Sequence, residues 1–93
     1  PKDILYVEVK GHHCIYHTLN GEYRQYQTMK SAESALSGQC FARCNNFLLV
    51  NLTHVDRIEG MTAYVGGSAL QISHPRRKAF SEAFSQYMGG IKP

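Results

Sequence analysis

The sequence has only three cysteines, no tryptophan and no long apolar run among its 93 residues. An odd, small number of cysteines does not form the paired framework of small secreted domains, so we expect a reducing, cytoplasmic environment. No apolar stretch approaches the ~20 residues that a membrane-spanning helix needs, and no signal-peptide pattern opens the chain. These absences exclude a disulfide scaffold, and we expect no membrane contact by this segment.

Charged residues are also few. The chain has 10 Lys and Arg and 7 Asp and Glu, which gives a net charge of +3. Hydrophobic residues make up 43% of the chain, a globular balance that excludes a disordered tail. The length supports one domain rather than two, so we treat 1–93 as a single domain. Because the chain begins with Pro1 rather than Met, we expect it to be a segment of a longer protein.

Motifs for catalysis and for metal binding are missing as well. The sequence has no phosphate-binding glycine loop, no nucleophile elbow and no carboxylate pair placed for acid–base chemistry, so we expect no enzyme. Potential metal ligands do cluster near the start, at His12, His13, Cys14 and His17. However, residues four apart on a strand are separated by about 13 Å, and a zinc ion needs each ligand within ~2.0–2.3 Å. We therefore expect no metal and no cofactor.

Hydrophobic patterning predicts strands through most of the chain, over residues 4–9, 14–18, 23–27, 47–50, 55–59, 61–65 and 69–73. Asn20-Gly21 is typical of a type I′ hairpin turn, in which both central residues have positive φ, and Gly66-Gly67 predicts another tight turn. The continuous apolar run 47–50 indicates a strand that is buried on both faces.

Two helices are predicted. Thr28 is a candidate N-cap for a short helix over 29–36, with Gly38 as its left-handed terminator. From Pro75 the period changes to that of an amphipathic helix that ends at Gly89-Gly90. Its apolar stripe consists of Ala79, Phe80, Ala83, Phe84 and Tyr87. The fold class is therefore mostly antiparallel β, with a short helix and a C-terminal amphipathic helix.

A basic cluster opens the last helix at Arg76, Arg77 and Lys78. A helix N-terminus already carries roughly half a positive charge and unpaired N–H groups, so cations are locally unfavourable there. An anion such as a phosphate would meet both the dipole and these side chains. The alternative is a solvated run of charges whose long side chains bend away from the dipole.

A polar cluster, Arg43-Cys44-Asn45-Asn46, leads into the apolar run 47–50. Arg and Asn side chains read guanine and adenine edges through paired hydrogen bonds. Alternatively, Asn-Asn is common in turns, where the side chains bond their own backbone. The spacing alone does not decide between these two interpretations.

Together with the strand pattern, these clusters make the chain resemble the LytTR DNA-binding domain of bacterial transcriptional regulators. The resemblance covers nearly the whole chain. Residues 4–8 (ILYVE) are similar to the family's I-x-Y-I-E entry strand, and residues 41–51 (FARCNNFLLVN) to its F-x-R-x-H-R-S-x-x-V-N motif. Residues 70–73 (LQIS) and the basic helix start are similar to its closing I-S-R motif.

The resemblance implies an elongated fold of stacked small antiparallel sheets whose loops, rather than a recognition helix, enter successive major grooves of bent DNA. Mapped by position, the DNA-contacting residues are His12, Arg43, Asn45, Asn46, His74, Arg76, Arg77 and Lys78. The chain departs from the family pattern at Asn45-Asn46, where the family usually has His followed by a basic or polar residue. It departs again at His74, where the family usually has Arg. Histidine is a weaker and pH-dependent donor. The family's first strand, upstream of Ile4, is absent, so we expect an exposed sheet edge.

We therefore expect sequence-specific binding of double-stranded DNA by the output domain of a two-component transcriptional regulator. A receiver or sensor domain is expected to precede it in the full-length chain, and a homodimer to form on DNA repeats. The alternative is a β-rich protein-interaction domain without nucleic-acid binding that uses its tyrosine-rich strands as the contact surface. DNA binding requires the regions of His12, Asn46 and Arg76 to share one face, whereas the alternative does not.

Overall fold

The computed structural model describes residues 2–90, which form two antiparallel sheets and two α-helices. The strands are β1 Ile4–Lys10, β2 His13–Thr18, β3 Gly21–Tyr26, β4 Phe41–Asn45, β5 Leu48–Asn51, β6 Val55–Glu59, β7 Thr62–Val65 and β8 Ser68–Gln71. The helices are α1 Met29–Ala35 and α2 Arg77–Gly90, and Leu52–His54 and His74–Arg76 form short 3-10 turns. The predicted mostly-β fold with a short helix and a C-terminal helix is confirmed.

The larger sheet has five strands in the order β3-β2-β1-β5-β4, and the smaller has three in the order β6-β7-β8. The described residues extend 38 × 28 × 24 Å, which is the elongated shape expected of stacked small sheets. Neither helix of residues 2–90 is long and apolar enough to cross a lipid bilayer.

One core lies where the two sheets meet α2. Its buried residues are Cys44, Val50, Leu52, Ala63, Val65, Leu70, Ile72 and Phe80. Ala83, Phe84 and Tyr87 pack against this core, so the predicted apolar stripe of α2 is confirmed at these positions and at Phe80. The stripe is wrong at Ala79, which is exposed: at about 100° per residue it lies well around the helix from Phe80, at the margin of the face that packs on the core.

A second core lies between the five-stranded sheet and α1, and consists of Val7, Cys14, Met29, Ala32, Leu36 and Leu49. The Thr28 hydroxyl accepts a hydrogen bond from Ser31 N at 3.0 Å, which confirms the predicted N-cap. Gly38 has a φ of +85°, the left-handed conformation expected just after the helix.

The β2–β3 hairpin differs from its prediction. Thr18 pairs with Gly21, so the central residues of the turn are Leu19 and Asn20. Among residues 2–90 no residue other than glycine has a positive φ, so a type I′ turn at Asn20-Gly21 is wrong. The Thr18 hydroxyl closes the turn instead, donating to Gly21 O at 2.7 Å and accepting from Asn20 N at 3.1 Å. The other tight turn is as predicted, since Gly66 and Gly67 have φ of +55° and +85°.

Strands β4 and β5 carry the polar cluster and the apolar run. Three residues of the polar cluster, 43–45, belong to strand β4, which the patterning missed because Arg43 and Asn45 interrupt its apolar residues. Pairing with β5 supplies the strand, with a shift in register between Arg43 and Asn45 where Cys44 is the extra, buried residue. Burial of the whole run 47–50 is wrong at Phe47, which is 65% exposed because β5 begins only at Leu48.

Candidate nucleic-acid interface

Two turns lie side by side at one end of the five-stranded sheet. The β1–β2 turn contains Gly11 and His12, and the β4–β5 turn contains Asn46 and Phe47. Because β1 and β5 are neighbours, the turns meet, and Val9 N donates to Phe47 O at 2.9 Å. His12 is exposed at this end, where its carbonyl oxygen accepts from Gln27 N at 3.0 Å.

The segment after β8 is fastened to the same end of the sheet. Ser73 N donates to Cys44 O at 2.8 Å, and the Asn45 amide nitrogen donates to Gln71 O at 2.7 Å. The Asn45 amide oxygen accepts from Phe47 N at 2.8 Å. Asn45 therefore uses both ends of its amide inside the protein, where it joins the β4–β5 turn to the closing segment.

Asn46 and Arg76 form a direct contact between the middle and closing motifs. The Arg76 Nε donates to the Asn46 amide oxygen at 3.1 Å. Asn46 is exposed, and its amide nitrogen makes no hydrogen bond within residues 2–90. This contact orients the Asn46 donor and leaves the terminal nitrogens of the Arg76 guanidinium available to a ligand.

The remaining basic residues of the closing motif surround the start of α2. His74, Arg77 and Lys78 are exposed and line a shallow depression of about 360 Å³ together with Ser81 and Glu82. The first turn of α2 contains no acidic residue, so the N–H groups there add to the positive field of the cations. Of the residues that the structure describes, Glu82 is the one carboxylate that lines this depression.

Arg43 stands apart from this group. It lies on the face of the sheet that α1 covers, opposite Leu49 in the β4–β5 register. Its guanidinium contacts the Glu33 carboxylate at 3.0 Å, and its side chain is only 17% exposed. The structure therefore brings His12, Asn46 and the closing motif to one end of the molecule, and it pairs Arg43 with α1.

Two exposed residues at this end were missed by the sequence patterning. Lys10 ends β1 next to the β1–β2 turn, and Phe47 projects from the β4–β5 turn. The apolar run concealed Phe47 because a run of strand length predicts burial. The signal that could have identified it is the family motif, in which the corresponding position is a serine.

The cysteines lie away from this surface or are buried beneath it. Burial raises the pKa of the Cys44 thiol to about 11, and burial also raises the pKa of Cys14. Cys40 is exposed and unpaired. Across residues 2–90 no three side chains of His, Cys, Asp or Glu lie close enough together to hold a metal ion.

Comparison with known families decides the identity of the fold. The sequence profile of the LytTr DNA-binding domain matches residues 1–85. The chain belongs to the LytTR family of DNA-binding domains. No curated protein gives a significant match to this LytTR domain.

A solved structure has the same fold. It is the LytTr DNA-binding domain of a protein described as a methyl-accepting/DNA response regulator from Bacillus cereus. It superposes with a TM-score of 0.77 at 18% sequence identity, over 88% of this chain and 81% of that chain. At this identity the likeness establishes a common fold, and the contacts of this LytTR domain have to be argued from its own residues.

Proposed function

We propose that this LytTR domain binds double-stranded DNA sequence-specifically, as the output domain of a bacterial transcriptional regulator. The observation that carries the proposal is the meeting of three segments at one end of the molecule. The β1–β2 turn, the β4–β5 turn and the closing segment are joined there through the Val9–Phe47, Cys44–Ser73 and Asn46–Arg76 hydrogen bonds. A surface assembled from separate parts of the chain and held by internal bonds is suited to reading a rigid duplex.

Affinity and specificity come from different residues of this surface. Arg76, Arg77 and Lys78 contact phosphates, which position the domain without reading sequence. Asn46, His12 and His74 reach base edges in the major groove, where a side-chain amide pairs well with adenine. In this proposal the turns of the surface, rather than a recognition helix, enter successive major grooves.

Arg43 and Asn45 serve this surface indirectly. The Arg43–Glu33 ion pair links β4 to α1, and the Asn45 amide links the β4–β5 turn to β8. Both side chains hold the end of β4 in the position from which Asn46 reaches DNA. Asn51, at the last position of the family motif, has a comparable structural role, since its amide nitrogen donates to Ile4 O at 2.8 Å.

We also propose a regulatory setting for this domain. A receiver or sensor domain precedes it in a full-length cytoplasmic protein, and two copies occupy repeated half-sites on DNA. The description of the Bacillus cereus protein as a response regulator supports the proposal of a preceding regulatory domain. The alternative of a protein-interaction domain without nucleic-acid binding loses its support, because the family is a DNA-binding one.

The test compares one base-contacting and one phosphate-contacting residue. The wild type first selects a preferred duplex from a random 30-base-pair pool, and Asn46→Ala and Arg77→Ala are then titrated on that duplex and on a random one. Asn46→Ala should weaken the preferred duplex by the equivalent of about 1–3 kcal/mol and leave the random one nearly unchanged. Arg77→Ala should weaken both by the same factor, because phosphate contacts carry no sequence information.

Arg24→Ala is the matched control, because Arg24 is an exposed arginine on β3, the strand at the other edge of the sheet. It should change neither affinity. An Asn46→Ala variant that weakens both duplexes equally contradicts the base-reading role. Failure of the wild type to bind any duplex contradicts the proposed function itself.

A further inference from the structure

An exposed phenylalanine lies at the centre of the proposed DNA-binding surface. Phe47 is 65% exposed, although its neighbour Leu48 is half-buried and Leu49 is fully buried. It follows Asn46 directly, and a shallow hollow of about 240 Å³ beside it is lined by Asn45, Phe47, Gln71 and Ser73. Its ring therefore lies between the middle and closing motifs, at the place where both are proposed to approach DNA.

The backbone of Phe47 is fixed even though its side chain is exposed. Its N–H donates to the Asn45 amide oxygen at 2.8 Å, and its carbonyl oxygen accepts from Val9 N at 2.9 Å. Because both backbone groups are bonded inside the protein, the turn cannot fold back to bury the ring without breaking two hydrogen bonds. An exposed apolar ring gains free energy when an apolar partner covers it and removes its surface from water.

We propose that Phe47 is a specificity-determining residue that contacts the 5-methyl group of a thymine next to the base read by Asn46. This inference rests on the proposed function. In the major groove the thymine methyl is the one apolar feature of the base edges, and apolar side chains such as Phe recognise it by contact. The LytTR motif has a serine at this position, so the preference belongs to this chain rather than to the family.

The test removes the methyl group from DNA and the ring from the protein. In the preferred duplex that the wild type selects from a random 30-base-pair pool, each thymine is replaced singly by deoxyuridine, which lacks only the 5-methyl group. Binding of the wild type and of Phe47→Ser is measured by fluorescence anisotropy. At one thymine the replacement should weaken the wild type about fourfold, the equivalent of burying one methyl-sized group. Phe47→Ser should be insensitive at that position.

Leu19→Ser is the matched control. Leu19 is 61% exposed, but it lies in the β2–β3 turn, where its N–H bonds Asp3 O at the opposite end of the sheet. This variant should keep the wild-type response at every thymine. Equal melting temperatures of the three proteins establish that exposed side chains were removed without unfolding.

Two outcomes overturn the inference. In the first, no thymine of the preferred duplex is sensitive to loss of its methyl group. In the second, Phe47→Ser keeps the wild-type sensitivity because it weakens the thymine and deoxyuridine duplexes by the same factor, which would mean that the ring only shapes the turn. In both cases the wild type still binds DNA. Failure of the proposed function is recognised instead by loss of binding to every duplex, and it removes this inference as well.

Discussion

Salt displaces a protein from DNA in proportion to the number of phosphates that its cations neutralise, and the structure sets this number for the LytTR domain. Arg76, Arg77 and Lys78 lie together at the start of α2, with no acidic residue in its first turn. Arg43 is paired with Glu33 at 3.0 Å. Replacement of Arg77 and of Arg43 by glutamine should therefore have different effects on the salt dependence of binding.

Three neutralised phosphates predict that log K falls against log salt with a slope of about −2.7, since each contributes ~0.9. Affinity should then fall roughly 40-fold between 50 and 200 mM salt. Counting Arg43 as a fourth contact would give a slope of about −3.6. Arg77→Gln should reduce the steepness by about 0.9, and Arg43→Gln should leave it unchanged.

The assay is a fluorescence anisotropy titration of a labelled 30-base-pair duplex of random sequence at several NaCl concentrations. A random duplex isolates the phosphate contribution, because it offers no preferred bases. Arg24→Gln removes an exposed positive charge from β3 and serves as the control for a change in net charge. A slope near zero would refute DNA binding, and an Arg43→Gln variant with the shallower slope of Arg77→Gln would refute the separation of these two arginines.

Three further predictions concern reactivity, affinity and stability. Burial raises the pKa of Cys44 to about 11 and also raises the pKa of Cys14, so iodoacetamide at pH 8 should modify Cys40 alone in the native protein. Mass spectrometry that shows adducts on the other two cysteines would contradict this. His74→Arg should bind the preferred duplex more tightly, because arginine can donate paired hydrogen bonds to a guanine edge, and an unchanged affinity would show that His74 does not contact the DNA. Phe80→Ala should reduce the free energy of unfolding by about 3–5 kcal/mol, because Phe80 is only 1% exposed in the core under α2. Urea titrations measure this change. A loss below about 1 kcal/mol would indicate that the neighbouring side chains collapse into the vacated space.

Much of the fold was predictable because its signals are local. The alternation and β-branching of residues 4–9 identify β1, Thr28 identifies the start of α1, and Gly66-Gly67 identifies a turn that needs positive φ. The hairpin at Asn20-Gly21 was mispredicted because the hydroxyl of Thr18 stabilises a different turn. A side-chain hydrogen bond of that kind depends on the final backbone and is not visible in the residue pair.

The candidate site was only partly predictable. The residue types that suit DNA were recognisable in three separate segments, and the LytTR resemblance indicated that they act together. The direction of each side chain could not be predicted, since the amino-acid sequence alone makes Arg43 and Asn46 equally good candidates for contacting DNA bases. In the structure one is paired with Glu33 and the other is exposed beside Arg76.

The sequence by itself determined which segments become strands and helices, because strand alternation, the helical stripe and the caps act over a few residues. It also determined the supply of cations, through Arg76, Arg77 and Lys78. The tertiary structure alone decided which groups face a ligand. Pairing of β4 with β5 and docking of α1 turn Arg43 inward, and the start of β5 at Leu48 leaves Phe47 outside the core. The physical reason is that exposure depends on neighbours distant in the chain, such as Glu33 for Arg43 and Val9 for the turn that carries Phe47.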